Sequence, residues 1–229
     1  MYISGIISEK VTYKKLPSAA IAISIGLILA YFGGVKSGGD KGVADIKIFN
    51  GFNTLGGSML RDFAIISTAF GASLIIIKKT GLVGIISLFL GISLSFFLGV
   101  GLAFLYGYRD AITLTTIGAG ACTYIVGPVT GAALGASSDI IALSIAAGVI
   151  KAIFVAIFTP FLAKSIGLNN PHTAMIFGGM MGTNTGVMAG LAATDEKLVP
   201  YGAMTATFYT GLGCLVCPSV LYLLVKSTF

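Results

Sequence analysis

The sequence predicts an all-α polytopic membrane protein, and three observations support this fold class. Of the 229 residues, 56% are hydrophobic and only 10% are charged, whereas soluble domains carry about 25% charged residues. The mean hydropathy is +0.99. Apolar runs of about 20 residues, the length of a membrane-spanning helix, recur along the chain. An open sheet would leave backbone groups unpaired in lipid, and these runs exceed the alternating strands of a membrane barrel.

The apolar runs divide the chain into membrane segments joined by short polar connectors. Uninterrupted runs lie near residues 17–34, 60–77, 81–106, 140–163 and 200–225. Two further segments, 111–136 and 172–193, are apolar but crowded with Gly, Thr and Ser. Because no shift in composition separates domains, we expect about seven membrane segments in a single integral membrane domain, residues 1–229.

The charge and cysteine patterns exclude several other classes. The formal net charge is +6, but the 14 basic residues are scattered, which indicates contact with the lipid bilayer and not with nucleic acid. Cys214 and Cys217 have the spacing of a redox or metal motif, but without a second pair they are typical of an inert helix face. The sequence contains neither G-x-S-x-G nor H-E-x-x-H nor G-x-x-x-x-G-K-[ST]. We therefore expect no enzymatic activity and no organic cofactor.

Several helix starts have capping signals. Asn170 before Pro171 is typical of an N-cap followed by proline in the first turn. Ser138 and Asp139 offer cap oxygens before the span 140–163, and Asp195 offers one before the last span. For both aspartates the sequence leaves two roles open, helix capping and direct ion binding.

The two Gly-rich segments share one plan. Each has a Gly-rich stretch, a polar interruption, a G-x-x-x-G, an acidic cap and then a long span with a late proline. The interruptions are Thr123–Tyr124 and Gly182-Thr183-Asn184-Thr185-Gly186. Paired interruptions at matching positions are typical of a transporter binding site. A broken helix frees N–H groups that attract anions, and carbonyls that, with Thr or Asn oxygens, suit a hard cation such as sodium.

The path of these segments has two alternatives. If both are re-entrant hairpins, the single span 140–163 between them makes them enter from opposite membrane faces, and their tips can meet near the midplane. This arrangement is compatible with an elevator-like transporter architecture. If each segment crosses fully, they run in the same direction and the chain has seven spans.

Lys151 lies near the middle of the span 140–163. A charge at that depth costs about 3 kcal/mol on insertion scales, so something must compensate it. The candidates are an acidic partner, a water-filled cavity and an anionic substrate.

Three stretches carry a resemblance to a known family: Met59 to Ala64, Tyr124 to Ala136 and Lys197 to Thr207. They resemble the M subunit of malonate/sodium symporters, MadM, and the resemblance runs from about Ala19 to the C-terminus. It implies a multi-pass protein of the bacterial inner (cytoplasmic) membrane that takes up malonate by secondary active symport with sodium. Alternating access and a smaller hydrophobic L subunit, MadL, are implied with it.

A more distant resemblance provides the alternative. The layout from Thr115 to Pro218 is also similar to the B component of the LrgAB/CidAB membrane systems, which include plastid glycolate/glycerate carriers. It implies a two-subunit membrane protein that carries another small carboxylate or acts in export or regulation.

The two broken segments together give the expected site. We expect malonate to be bound by Thr123, Gly127, Thr130, Lys151, Thr183, Asn184 and Thr185. We expect the coupling sodium ion to bind at Thr123, Asn184 and Thr185.

Overall fold

A computed structural model describes residues 2–10, 18–38, 46–49 and 74–229, and the regular elements within these ranges are all helical. The predicted connector 35–58 and the predicted span near 60–77 fall largely outside them. The helices are α1 (Tyr2–Lys10), α2 (Ser18–Ser37), α3 (Leu74–Leu105), α4 (Ala111–Cys122), α5 (Val126–Leu134), α6 (Ser138–Leu162), α7 (Pro171–Met181), α8 (Asn184–Ala192), α9 (Val199–Val216) and α10 (Tyr222–Thr228). Short 3₁₀ helices span Lys47–Phe49 and Glu196–Leu198.

Three of the described helical stretches are long and apolar enough to cross a membrane: Gly81–Leu105, Ser138–Leu162 and Glu196–Thr228. They coincide with the predicted spans 81–106, 140–163 and 200–225, which places the protein in a membrane. The last stretch joins α9 to α10 through a π-helical segment, Cys217–Leu221. Pro218 lies in this segment and has no N–H for a regular helical bond, so the helix widens locally. The predicted span near 17–34 is helical as α2, and the total of seven segments stays a prediction.

The first Gly-rich segment folds back on itself. Helix α4 has 12 residues and rises only about 18 Å, against about 30 Å for the hydrocarbon core. A Cβ built on Gly127 would lie 2.8 Å from the Gly120 Cα, and one built on Gly131 would lie 2.8 Å from the Thr116 Cγ2. Position 127 therefore faces 120 while 131 faces 116, which is the register of an antiparallel pair. Helices α4 and α5 form the first hairpin.

The second Gly-rich segment also folds back, with α9 lying against both of its arms. A Cβ on Gly202 would lie 3.2 Å from the Ala174 carbonyl oxygen in α7 and 3.1 Å from the Val187 Cγ1 in α8. A straight path from α7 into α8 would place these two residues too far apart for one glycine to contact both. Helices α7 and α8 therefore form the second hairpin, and both Gly-rich segments fit the hairpin alternative.

Helix α6 runs alongside both hairpins. A Cβ on Gly148 of α6 would overlap the Tyr124 backbone at the first hairpin. At the second hairpin, a Cβ on Gly186 would lie 2.6 Å from the Ala152 carbonyl oxygen of α6. Small residues at these crossings let the helix backbones approach closely. These glycines thus serve packing, and they bring α6 against both helix breaks.

The capping predictions have different outcomes. The Asn170 side chain accepts a hydrogen bond from the Thr173 N–H at 3.0 Å, which confirms the predicted cap. Asp195 accepts from the Lys197 N–H at 3.0 Å and caps the 3₁₀ helix before α9. The predicted cap at Ser138 and Asp139 is wrong, because the N-cap is Ser137 and its side chain makes no capping bond. Asp139 lies in the first turn, where the helix dipole favours its charge.

The three cysteines are free thiols, and Cys122 and Cys217 are buried. Two clusters of buried apolar residues form the core. The larger cluster joins α3 to the first hairpin and the C-terminal helices. The smaller one joins the second hairpin to α9.

Candidate functional site

The tips of the two hairpins touch. The Tyr124 hydroxyl of the first break lies 2.7 Å from the Thr185 Oγ1 of the second, although the residues are 61 positions apart. Gly148 of α6 makes room for this approach, because a Cβ there would lie 2.5 Å from the Tyr124 Cα. Both side chains are partly buried. The two helix breaks thus converge on one location, as expected of two hairpins whose tips meet.

The Thr123 side chain satisfies two N–H groups at the start of α5. Its backbone is extended (φ −154°, ψ 156°), which ends α4. The Thr123 Oγ1 accepts hydrogen bonds from the N–H groups of Ile125, at 3.2 Å, and Val126, at 3.0 Å. In a continuous helix the Val126 N–H would donate to the Cys122 carbonyl. The break therefore frees that carbonyl at the C-terminal end of α4.

Lys151 binds this freed carbonyl. Its Nζ donates to the Cys122 carbonyl oxygen at 3.0 Å and to the Ser95 Oγ at 2.8 Å. It also lies 5.3 Å from the centroid of the Tyr209 ring, within the range of a cation–π contact. The hydrogen-bond acceptors that the described residues give Lys151 are therefore neutral oxygens. An acidic partner was one of the three compensations predicted for the Lys151 charge, and these contacts do not include one.

The second break exposes oxygens that no described residue satisfies. Gly182 ends α7 in the left-handed conformation (φ 70°), and Thr183 precedes α8 without a side-chain cap. The Thr183 Oγ1 and the Asn184 Oδ1 are buried and have no hydrogen-bond partner there. Leaving a buried polar group unsatisfied costs about 1–3 kcal/mol. Two such atoms on adjacent residues make this break a candidate ligand site.

The amide of Asn184 has a defined orientation. Its Nδ2 donates to the Thr207 Oγ1 at 3.1 Å. The Thr207 hydroxyl donates its own proton to the Ala203 carbonyl oxygen at 2.9 Å, so it can only accept from Asn184. This bond assigns the nitrogen to the Thr207 side and leaves the Asn184 oxygen as the free acceptor.

The convergence of the breaks places complementary electrostatic groups side by side. The N-terminus of α8, without a side-chain cap, presents first-turn N–H groups and the positive end of the helix dipole. The Lys151 ammonium adds a positive charge beside the first break. The C-terminal ends of α4 and α7 present carbonyls, together with the unpaired oxygens of Thr183 and Asn184. Such a site can hold a small carboxylate and a hard cation close together.

The predicted site residues divide into three groups. Thr123, Thr183, Asn184 and Thr185 lie at the two breaks, and Lys151 contacts the first. Thr130 lies within α5, where its Oγ1 is buried and has no partner among the described residues. Gly127 serves close packing, because a Cβ there would lie 2.6 Å from the Ser144 Oγ.

Sequence reasoning missed four residues of the site: Ser95, Tyr124, Thr207 and Tyr209. The signal for Tyr124 was present, since it directly follows Thr123 in the first interruption. The other three come from α3 and α9, which are long helices with no interruption at those positions. Which face of such a helix lines a site depends on packing that the sequence pattern does not specify.

Two cavities in the described part of the chain lie away from the helix breaks. A cavity of about 340 Å³ between α3, α4 and α6 is lined mainly by apolar side chains, and one of about 240 Å³ lies near Lys164 and Asn169. Neither is lined by Lys151, Thr183 or Asn184. Across residues 2–10, 18–38, 46–49 and 74–229, no three or more His, Cys, Asp or Glu side chains group as metal ligands. The possible ligands at the breaks are hydroxyl, amide and carbonyl oxygens, which suit a hard cation.

Comparison with known proteins agrees with the resemblance carried by the sequence. A search of curated proteins and a search of solved structures find no match. The family model described as the malonate/sodium symporter MadM subunit matches residues 1–229. This match covers the whole chain, including the residues before Ala19, and the family it describes is one of transporter subunits. The chain therefore belongs to the MadM family of malonate/sodium symporter subunits.

Proposed function

We propose that this chain is the larger subunit of a two-component sodium-coupled malonate uptake carrier of the bacterial inner membrane, and that malonate and sodium bind where the two hairpin tips meet. One observation carries the proposal. The contact between Tyr124 and Thr185 brings both helix breaks to one place, with Lys151 beside it. Family membership supports malonate and sodium as the transported pair.

Malonate has two carboxylates, so its site must supply several hydrogen-bond donors and positive charge. The hydroxyls of Tyr124 and Thr185 share one proton in their mutual hydrogen bond, which leaves the other hydroxyl proton free to be donated at the junction of the hairpins. The N–H groups of Thr185 and Gly186 lie in the first turn of α8, at the positive end of the helix dipole, where they can donate to an anion. Thr123, Gly127 and Thr130 complete the set on the side of the first hairpin, and the nearby Lys151 ammonium adds positive charge. Donors from both hairpins then hold one anion.

Sodium is held by neutral oxygens of the second break, among them the unpaired Asn184 Oδ1. The positive charge of bound sodium favours binding of the malonate carboxylates next to it, and the bound carboxylates favour binding of sodium. Each ligand therefore raises the affinity for the other, and the two effects are equal by linkage. This reciprocal coupling lets a sodium gradient drive malonate uptake.

Alternating access follows if the hairpin unit moves against the remaining helices, including those of the smaller L subunit. The hairpin unit meets α3 through glycine. A Cβ on Gly91 of α3 would lie 2.6 Å from the Met180 carbonyl oxygen of the second hairpin, so the two backbones lie in close contact. Along α3, exposed apolar side chains such as Leu94, Leu98 and Leu102 offer a surface for lipid or for the partner.

Proteoliposomes that contain both purified subunits test the proposal. We expect labelled malonate to accumulate when sodium is imposed outside, and not when potassium replaces it or when either subunit is omitted. Malonate uptake that is independent of sodium would contradict it. Preferential uptake of glycolate or glycerate would contradict malonate and favour the LrgB/CidB-like alternative.

A further inference from the structure

The two helix breaks differ in how their freed oxygens are satisfied. At the first break, the Cys122 carbonyl accepts a hydrogen bond from the Lys151 Nζ at 3.0 Å. At the second break, the oxygens of Thr183 and Asn184 have no partner among the described residues. One break therefore already holds a cationic group, while the other presents unsatisfied side-chain oxygens without one.

The surroundings of the Lys151 ammonium are those of a bound cation. A backbone carbonyl and the Ser95 hydroxyl lie at hydrogen-bond distance, and the Tyr209 ring presents its π-system 5.3 Å away. Tyr209 is itself fixed, because its hydroxyl donates to the Gly91 carbonyl oxygen at 3.0 Å. A carbonyl, a hydroxyl and an aromatic face are neutral groups that stabilise a positive charge out of water.

Thr123 adds no further acceptor at the first break. Its Oγ1 already accepts from the N–H groups of Ile125 and Val126. A hydroxyl oxygen has two lone pairs, so both are in use. A sodium ion at this break would have to displace Lys151 from the Cys122 carbonyl or break the Thr123 hydrogen bonds to Ile125 and Val126.

At the second break, by contrast, the side-chain oxygens are free to accept. Thr183 is fully buried, and its hydroxyl oxygen has no partner in the described ranges. The hydrogen bond to Thr207 directs the Asn184 nitrogen away and leaves its oxygen free. Hydroxyl and amide oxygens on consecutive residues are ligands of the type that hard cations prefer.

We propose that Lys151 is a built-in cation that occupies the cation position of the first break, and that the transported sodium binds only at the second break, to Thr183 and Asn184. This inference rests on the proposed function. It divides that site into a fixed charge and a mobile one, and it assigns Lys151 to neither the substrate nor an acidic partner.

Equilibrium binding of labelled sodium to the carrier, purified with its L subunit, tests this division. Lys151→Ala removes the ammonium and leaves the Cys122 carbonyl and the Ser95 hydroxyl in place. We expect this variant to bind one more sodium ion per chain than the wild type, and Lys151→Ala/Ser95→Ala to lose that extra ion. Lys226→Ala is the matched control, because Lys226 also lies over a tyrosine ring but is exposed. Its sodium count should equal that of the wild type.

A second pair of variants tests the mobile site independently of Lys151. Thr183→Val removes the hydroxyl oxygen at nearly constant shape and should weaken sodium binding at least about tenfold. Thr183→Ser keeps the oxygen and should bind sodium as the wild type does. An unchanged sodium count in Lys151→Ala, or wild-type sodium affinity in Thr183→Val, would overturn the inference. If the wild type shows no sodium-dependent malonate binding, the proposed function itself fails, whatever the variants do.

Discussion

The Tyr124 and Thr185 hydroxyls lie 2.7 Å apart and connect the tips of two hairpins that are separated in the chain by the whole of α6. No continuous helix could bring these residues together. The contact exists because Thr123 ends α4 and Gly182 ends α7. The two sequence interruptions, far apart in the chain, thus lie together in the folded protein.

This hydrogen bond should appear as energetic coupling between the two residues. Tyr124→Phe and Thr185→Val each remove one partner, and we expect each to destabilise the protein by about 1 kcal/mol. Because the bond is already lost in either single variant, the double variant should be no more than slightly worse than the single ones. Thermal unfolding of the four purified proteins measures the coupling. Strictly additive losses would show that the tips do not interact.

Gly148→Ala should disrupt the crossing of α6 with the first break. The added methyl group would overlap the Tyr124 backbone, which cannot move as a flexible side chain can, and overpacking of this kind costs about 1–3 kcal/mol. Gly101→Ala on α3 is the control, because nothing lies within 4 Å of its Cβ position. That substitution should be neutral or raise the melting temperature, since alanine is the better helix former. Equal melting temperatures for the two variants would argue against the close crossing.

Gly182→Ala separates backbone strain from steric overlap. Gly182 and Gly135 both end helices with positive φ, 70° and 75°. A Cβ at Gly135 meets nothing within 4 Å, whereas one at Gly182 would overlap the Tyr209 ring. Gly135→Ala should therefore cost only the strain of the left-handed conformation, about 1–2 kcal/mol. Gly182→Ala should cost more and should also lower malonate uptake, because Tyr209 is part of the surroundings of Lys151. Equal losses of stability in the two variants would contradict the contact with the ring.

Much of the fold could be predicted from local signals. Apolar length identified the long helices, and the Asn170–Pro171 pair identified the start of α7. The interruptions at Thr123 and Gly182 marked the ends of α4 and α7, because a polar residue or a glycine within an apolar run disfavours a continuous helix. These properties depend on neighbouring residues, so the sequence carries them directly.

The remaining features depend on contacts between distant elements. A broken helix can continue or turn back, and the outcome here depends on Gly120 facing Gly127 and on Gly202 lying between α7 and α8. The acceptors of Lys151 likewise come from other helices, Ser95 of α3 and Cys122 of α4. Sequence reasoning identified the buried charge but could not identify neutral partners, because neither residue has a distinctive pattern.

Sodium-driven malonate uptake by Asn184→Ala tests the central claim most directly, with Asn170→Ala as the control. Both asparagines lie at the N-terminal end of a helix, but Asn170 is an exposed cap. Its loss should cost about 1 kcal/mol of stability and leave the uptake kinetics unchanged. If malonate and sodium bind at the joined breaks, Asn184→Ala should assemble normally and need at least about tenfold more malonate or sodium for half-maximal uptake. Wild-type uptake kinetics in Asn184→Ala would contradict the account.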